Sequence, residues 1–220
     1  LFSKSRISRM ELDRPELIIA REKLILMLAR MAEEAGVKIA LALGCSISPA
    51  LIFSRKSYFY PDMSKNFQIT QFEEPLGRGG GLSLDHKEVG LTLVHVEEDP
   101  AALVHSGSMV FVDYNRSGLP LVEIVTEPAM SSPEEAREFM RRLLSVLEYL
   151  EVYDSSWCAL KADVNISIKE SGFTRVEIKN VTGFKEIEQA LIVEAARQKA
   201  ECADGKKIKQ ETRGWDAQKQ

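Results

Sequence analysis

Apolar and polar positions along this chain repeat with two periods, and the changes of period mark out its elements. From Pro15 to Ala35 long unbranched side chains dominate and nothing breaks the interior. Pro15 suits a first turn and Gly36 a stop just past the end, so a helix is predicted there. Ile39–Leu43 fits a strand or a second short helix equally. Between Ser57 and Val125 short β-type runs alternate with turns, and Leu91–Val96, Met109–Val112 and Leu119–Val125 are the best strands. The run Gly79, Gly80, Gly81 lacks the Lys-Ser/Thr and the helix start of a phosphate loop, and reads as a hairpin turn.

Ser132–Leu150 is the clearest helix. Ser132 is placed to cap it, Pro133 takes the first turn and Glu135 completes a capping box. Ala136, Phe139, Met140, Leu143, Leu144, Leu147 and Leu150 then form one apolar stripe at helical spacing. Strands at Asp163–Ile168 and Thr174–Lys179 flank the turn Glu170-Ser171-Gly172, and an amphipathic helix runs from about Lys185 to Ala203, stopping near Gly205. Strands that precede and alternate with helices, with an antiparallel hairpin among them, give an α+β class: a mainly antiparallel sheet with packed helices.

Composition changes this picture little. The 220 residues are 45% hydrophobic and 28% charged, an ordinary globular balance that argues against disordered and fibrous classes. No apolar run approaches the roughly 18 residues of a membrane span, and nothing at the start reads as a secretion signal, so no membrane association is expected. Cys45, Cys158 and Cys202 are too scattered for a disulfide framework or a zinc knuckle and fit a reducing compartment. A net charge of −4 argues against a surface that grips nucleic acid throughout, while leaving room for a local contact.

Candidate chemistry lies where carboxylates sit in strands. In Leu119–Val125 both faces are apolar, so Glu123 is expected to be largely buried and therefore neutral, paired with a cation such as Arg116 or Lys161, or bound to a metal. Leu93, His95 and Glu97 share one strand face, and Glu97, Glu98 and Asp99 close that strand. Such a cluster is either a set of oxygen ligands suited to Mg²⁺ or a solvated acidic turn. His95 fits an assisting group or a satisfied strand histidine. Asp163, Asn165 and Ser167 line one face opposite Val164, Ile166 and Ile168, so this polar face meets either solvent or the wall of a cavity or channel. No Ser-His-Asp or Cys-His arrangement is legible, which disfavours a self-contained hydrolase or glutaminase.

Several long stretches resemble the B-subunit family of tRNA-dependent amidotransferases: Tyr58–Gln71 (YFYPDMSKNFQITQ), His95–Asp99 (HVEED), Val112–Pro128 (VDYNRSGLPLVEIVTEP), Lys161–Ser167 (KADVNIS) with Glu177–Asn180 (EIKN), and Glu211–Arg213 with Trp215 and Asp216. The resemblance covers roughly Ile39 to the end. It implies a catalytic core similar to glutamine synthetase, forming one catalytic (cradle) domain over 1–220. The implied reaction is phosphorylation of the side-chain carboxylate of Glu-tRNA(Gln) or Asp-tRNA(Asn), with ATP and Mg²⁺ as cofactors. Ammonia channelled from an amidase A subunit then displaces the phosphate. The implied partners are that amidase, a small C subunit and the misacylated tRNA, in the cytoplasm or an organellar matrix. Carried over by position, Glu97 and Glu123 match the family's metal ligands and catalytic carboxylates. Asp163 matches a catalytic aspartate on the ammonia channel, with Lys56 and Asn165 along the same route. The family's Glu-x-His strand, its zinc-holding cysteine segment and its C-terminal tRNA-binding helical part have no counterpart in these residues. The family's Arg-Cys-Asp is replaced by Lys161-Ala162-Asp163. A non-catalytic scaffold of the same complex is the alternative expectation, and an unrelated carboxylate-rich phosphatase or nuclease a remoter one.

Overall fold

The structure is a computed structural model that describes residues 23–216 apart from Ile25, Ser108, Trp157 and Ala159. The first predicted helix therefore lies outside the described residues at Pro15–Glu22 and at Ile25. Within the catalytic domain expected from the sequence, packing gathers the chain into two compact units, one ending in Gly90–Glu127, the other built from Leu82–Val89 and the residues from Pro128 onward. Both mix antiparallel strands with helices, the α+β class read from the pattern.

In the first unit, helical residues 26–31 pass through a π-turn at Ala32–Gly36 into helix α1, Val37–Ala42. The expected stop at Gly36 is overturned. Gly36 is buried inside the helix, where a Cβ would stand 2.5 Å from Leu76 Cδ2, so its missing side chain serves close packing rather than termination. Ile39 and Ala40 are buried helix residues, which resolves the ambiguity at Ile39–Leu43 in favour of helix. Leu28 and Ala32 pack with Ile69, Leu76 and Val96 to form this unit's core.

Strands β1 (Ser46–Ile47), β4 (Gly77–Arg78), β5 (Gly81–Ser83), β6 (Glu88–Glu98) and β9 (Pro120–Thr126) build the main sheet. Strands β2 (Ser54–Ser57) and β3 (Phe67–Thr70) form one two-stranded ribbon, and β7 (Ala102–Ser106) with β8 (Met109–Asp113) a second. The glycine run is not a hairpin turn. Gly79 N–H donates to Thr92 O at 3.3 Å and Leu91 N–H to Gly80 O at 2.9 Å, so Gly79 and Gly80 continue β4 alongside β6. The turn comes later, after β5 (Gly81–Ser83), where Leu84 N–H donates to Lys87 O at 2.7 Å. Gly80 holds φ +82°, and a Cβ there would sit 2.3 Å from the Leu43 carbonyl oxygen that ends α1.

In the second unit, α2 (Pro133–Tyr149) starts as expected: Ser132 Oγ accepts from Glu135 N–H at 3.2 Å. The return bond shifts by one residue, because Glu135 Oε2 accepts from Ser131 N–H at 2.6 Å. The same carboxylate pairs with Lys87 and with His86 Nε2. The predicted stripe is buried at Ala136, Phe139, Leu143 and Leu147. Strand β10 (Ala162–Ile166) pairs antiparallel with β11 (Val176–Val181), and β12 (Glu211–Gly214) joins β11 in parallel. Helix α3 (Phe184–Ala203) supplies Ile187, Ala190 and Leu191 to a core shared with Val164, Ile178 and Val181. The Glu211–Arg213 motif is structural here. Buried Glu194 accepts two hydrogen bonds from Arg197, at 2.8 and 2.6 Å, and lies 3.5 Å from Arg213 Nε, which ties β12 to α3. Burial alone would raise the Glu194 pKa, but the Arg197 and Gln198 hydrogen bonds hold it below its ordinary value.

Two outcomes test this packing. Gly80→Ala combines a left-handed φ with a backbone clash and is expected to destabilise by more than the roughly 1–3 kcal/mol of a strained backbone conformation alone. Gly79→Ala, at φ +65° but in open space, stays within that range, and urea midpoints separate the two. Secondly, the contacts from Lys87, Ser131 N–H and His86 hold Glu135 down to about 2, against an ordinary 4.5. A depressed carboxylate adds stability that is fully present above 4.5 and is lost as pH falls through about 2. Glu135→Gln is therefore expected to flatten the acid limb of stability against pH in that window, as read by denaturation at stepped pH.

Candidate active site on strands β6 and β9

The site rests on one irregularity. Between Leu91 and Leu93 the β6–β9 register shifts, since Leu91 faces Thr126 and Leu93 faces Val125. This bulge at Thr92 reverses which side chains point inward. Val89 and Leu91 are buried before it, Val94, Val96 and Glu98 after it. His95 and Glu97 are thereby turned to the opposite face, and the register sets His95 directly across from Glu123.

Here the three side chains meet. Among the described residues, His95, Glu97 and Glu123 form a group whose ligand atoms all lie within 4.8 Å of one another. His95 Nε2 is 2.7 Å from Glu123 Oε2 and 3.5 Å from Glu97 Oε2. Thr70 Oγ1 donates to the same Glu97 oxygen at 3.2 Å and fixes that carboxylate from β3. Burial alone would lower the imidazole pKa, yet the facing Glu123 and Glu97 carboxylates outweigh it and raise His95 to about 9. Neither ring nitrogen of His95, however, is aligned for a hydrogen bond. Buried polar atoms normally have an aligned partner. Two converging carboxylates beside an imidazole of this kind suit a divalent cation, with Glu97 and Glu123 offering the hard oxygens that Mg²⁺ or Mn²⁺ prefers.

Several expectations are corrected. Glu123 is not buried: its side chain is 49% exposed. Arg116, one of the cations expected near Glu123, lies 3.3 Å from Asp99. The Glu97-Glu98-Asp99 cluster is split. Glu98 is the carboxylate that goes inside, 3% exposed, paired with Lys65 and accepting from Ile69 N–H at 3.1 Å. His95, which the sequence left between two readings, is the hub. Thr70 lies within the Tyr58–Gln71 stretch that carries the resemblance, but its own role comes from the contact of β3 with Glu97 on β6, which the sequence alone does not show.

The remaining expected residues sit elsewhere. Lys56 is exposed on β2, opposite Gln68. Asp163 and Asn165 stand with Ser167 on the exposed face of the β10 segment, while Val164 and Ile168 are buried, as the alternation requires. Lys179 Nζ lies 3.7 Å from Asp163 Oδ2 and 3.8 Å from Glu177 Oε1, giving that face charges of both signs. Among the described residues no helix is long and apolar enough to cross a membrane.

The sequence model of one family, described as the GatB/GatE catalytic domain, matches residues 25–220. The chain belongs to this family. It is 47% identical over 199 residues to a protein of Methanoregula boonei, covering 86% of this chain and 41% of that protein. It is 48% identical over 197 residues to one of Sulfolobus acidocaldarius (84% and 41%), and 44% identical over 192 residues to one of Thermus thermophilus (85% and 41%). All three carry the name of the B-subunit of aspartyl/glutamyl-tRNA(Asn/Gln) amidotransferase. The chain thus spans about two fifths of the length of these relatives.

The cluster predicts a binding result independent of turnover. Mn²⁺ titrated into the full-length protein, followed by calorimetry or by the ion's paramagnetic signal, is expected to bind. Thr70→Val, which removes the hydroxyl that steadies Glu97, is expected to weaken that binding about 10–100-fold. Unchanged affinity in Thr70→Val, Glu97→Gln and Glu123→Gln would place the cation elsewhere.

Proposed function

We propose that this chain is the ATP-dependent activating domain of a tRNA-dependent amidotransferase. The single observation that carries the reading is the convergence of Glu97, Glu123 and His95 in a member of the GatB/GatE catalytic domain family. In this scheme a side-chain carboxylate oxygen of misacylated Glu-tRNA(Gln) or Asp-tRNA(Asn) attacks the γ-phosphorus of ATP. ADP leaves, and an acyl phosphate forms. Ammonia then attacks the acyl carbon, phosphate leaves, and the excess proton passes to a base, giving the amide.

Activation comes first because a carboxylate resists ammonia until one oxygen becomes a good leaving group. Mg²⁺, when bound, would draw charge from the phosphoryl oxygens. Glu97 and Glu123 would hold it, Thr70 would keep Glu97 in place, and His95 supplies positive charge between the carboxylates before it binds. Asp163, Asn165 and Lys56 would line the ammonia route, with Asp163 taking the proton from ammonium. The nitrogen source is an amidase A subunit, with the small C subunit completing a heterotrimer in the cytoplasm or an organellar matrix. This division explains why the sequence shows no nucleophilic triad of its own.

The two chemical steps are expected to separate by mutation in the full-length complex. Glu123→Gln should abolish ATP-dependent acyl-phosphate formation on misacylated tRNA. Asp163→Asn should leave that step largely intact and slow amide formation. If Asp163→Asn loses phosphorylation as fully as Glu123→Gln, Asp163 belongs to the activating site and the division of roles is wrong.

A further inference from the structure

The segment after β2 spends backbone order on presenting aromatic rings to water. Tyr58 N–H donates to Asn66 O at 3.1 Å, Met63 N–H to Tyr60 O at 3.1 Å, and Ala101 N–H to Asp62 O at 2.8 Å. Tyr114 Oη donates to Pro61 O at 2.7 Å. On this pinned frame Phe59 is 84% and Tyr60 55% exposed. Their neighbour Tyr58 is half-buried, and Lys65 in the same loop pairs with Glu98, next in sequence to Glu97, so the loop borders the Glu97 cluster. On β2 just before it, Arg55 and Lys56 are exposed, and the Arg55 guanidinium is steadied 5.1 Å over the Phe67 ring.

Two fixed, exposed rings beside exposed cations are what unstacked bases and their phosphates require, since every base offers a π-face and every linkage a negative charge. We propose that Phe59 and Tyr60 form a stacking platform for the single-stranded 3′ end of the acyl-tRNA, with Arg55 on its phosphates, delivering the acylated terminus to the Glu97–Glu123 cluster. The proposal deepens the reading above and rests on it for the substrate. Overall charge of −4 agrees with an end-on, local contact rather than a broad nucleic-acid surface.

The test uses the full-length protein in its complex and misacylated tRNA carrying 2-aminopurine at its terminal base. Stacking should quench that fluorophore in the unsubstituted complex. Phe59→Ala with Tyr60→Ala should abolish the quenching and raise KM for the tRNA about 10–100-fold, with kcat at saturation retained. Phe59→Trp with Tyr60→Phe should restore both, because rings are kept, and Arg55→Gln should lower the salt dependence of binding by about one phosphate contact. Unaltered quenching and KM in the double alanine variant overturn the proposal. So does loss of the amidase from that variant on size exclusion, which would make the rings a protein interface. An unsubstituted complex that quenches the probe but never phosphorylates the acyl group would leave the platform standing and remove the proposed reaction instead.

Discussion

The contact between Glu98 and Lys65 is the constraint on which the site depends. A strand can bury only alternate residues, and a carboxylate on the core face is costly unless a cation and hydrogen bonds meet it there. Lys65 supplies the cation, Ile69 N–H donates to the second oxygen, and Gln68 Nε2 donates to the Glu98 carbonyl at 2.8 Å. A partner that accepts Glu98 in this way makes any slip of β6 by one residue expensive, because a slip would bury Glu97 with none of these groups. Holding Glu98 in is thus what holds His95 and Glu97 out. Gln71 adds to the same clamp: β4 begins opposite Val94, and the Val96 N–H beyond it is met by Gln71 Oε1 at 3.0 Å.

Much of the architecture was legible because it is local. The helix at Ser132–Leu150 carries its cap, its proline and its stripe within one segment, and the β10–β11 hairpin carries its alternation and its Gly172 turn. Gly36 and Gly80 were misread for a single reason. Each glycine is required by something distant in sequence, Leu76 for the one and the Leu43 carbonyl for the other, and turn chemistry was the only explanation the local context offered.

The site was legible in part. Glu97 and Glu123 stood out as carboxylates in strands, and they do converge, although Glu123 is exposed where burial was expected. What stayed hidden is the pairing of strands. That His95 faces Glu123 follows from the bulge at Thr92 and from the β6–β9 register, neither of which leaves a mark in composition or spacing. Glu98 and Glu97, adjacent and chemically identical, differ only in the face each takes, and the face is settled by Lys65, 33 residues away.

That separation of neighbouring carboxylates bears on how such a site works. Buried, ion-paired Glu98 and Glu97 held by Thr70 give rigidity, whereas the Glu123 side chain on β9 is 49% exposed. The arrangement has one fixed carboxylate and one that reaches solvent, spanned by an imidazole whose ring nitrogens have no aligned hydrogen bond. On the proposed activating role, this asymmetry would let the site admit a nucleotide and the end of a large substrate and then release products. The fixed side would then preserve geometry for charge stabilisation, and the open side would let a cation arrive with its phosphates and leave with them.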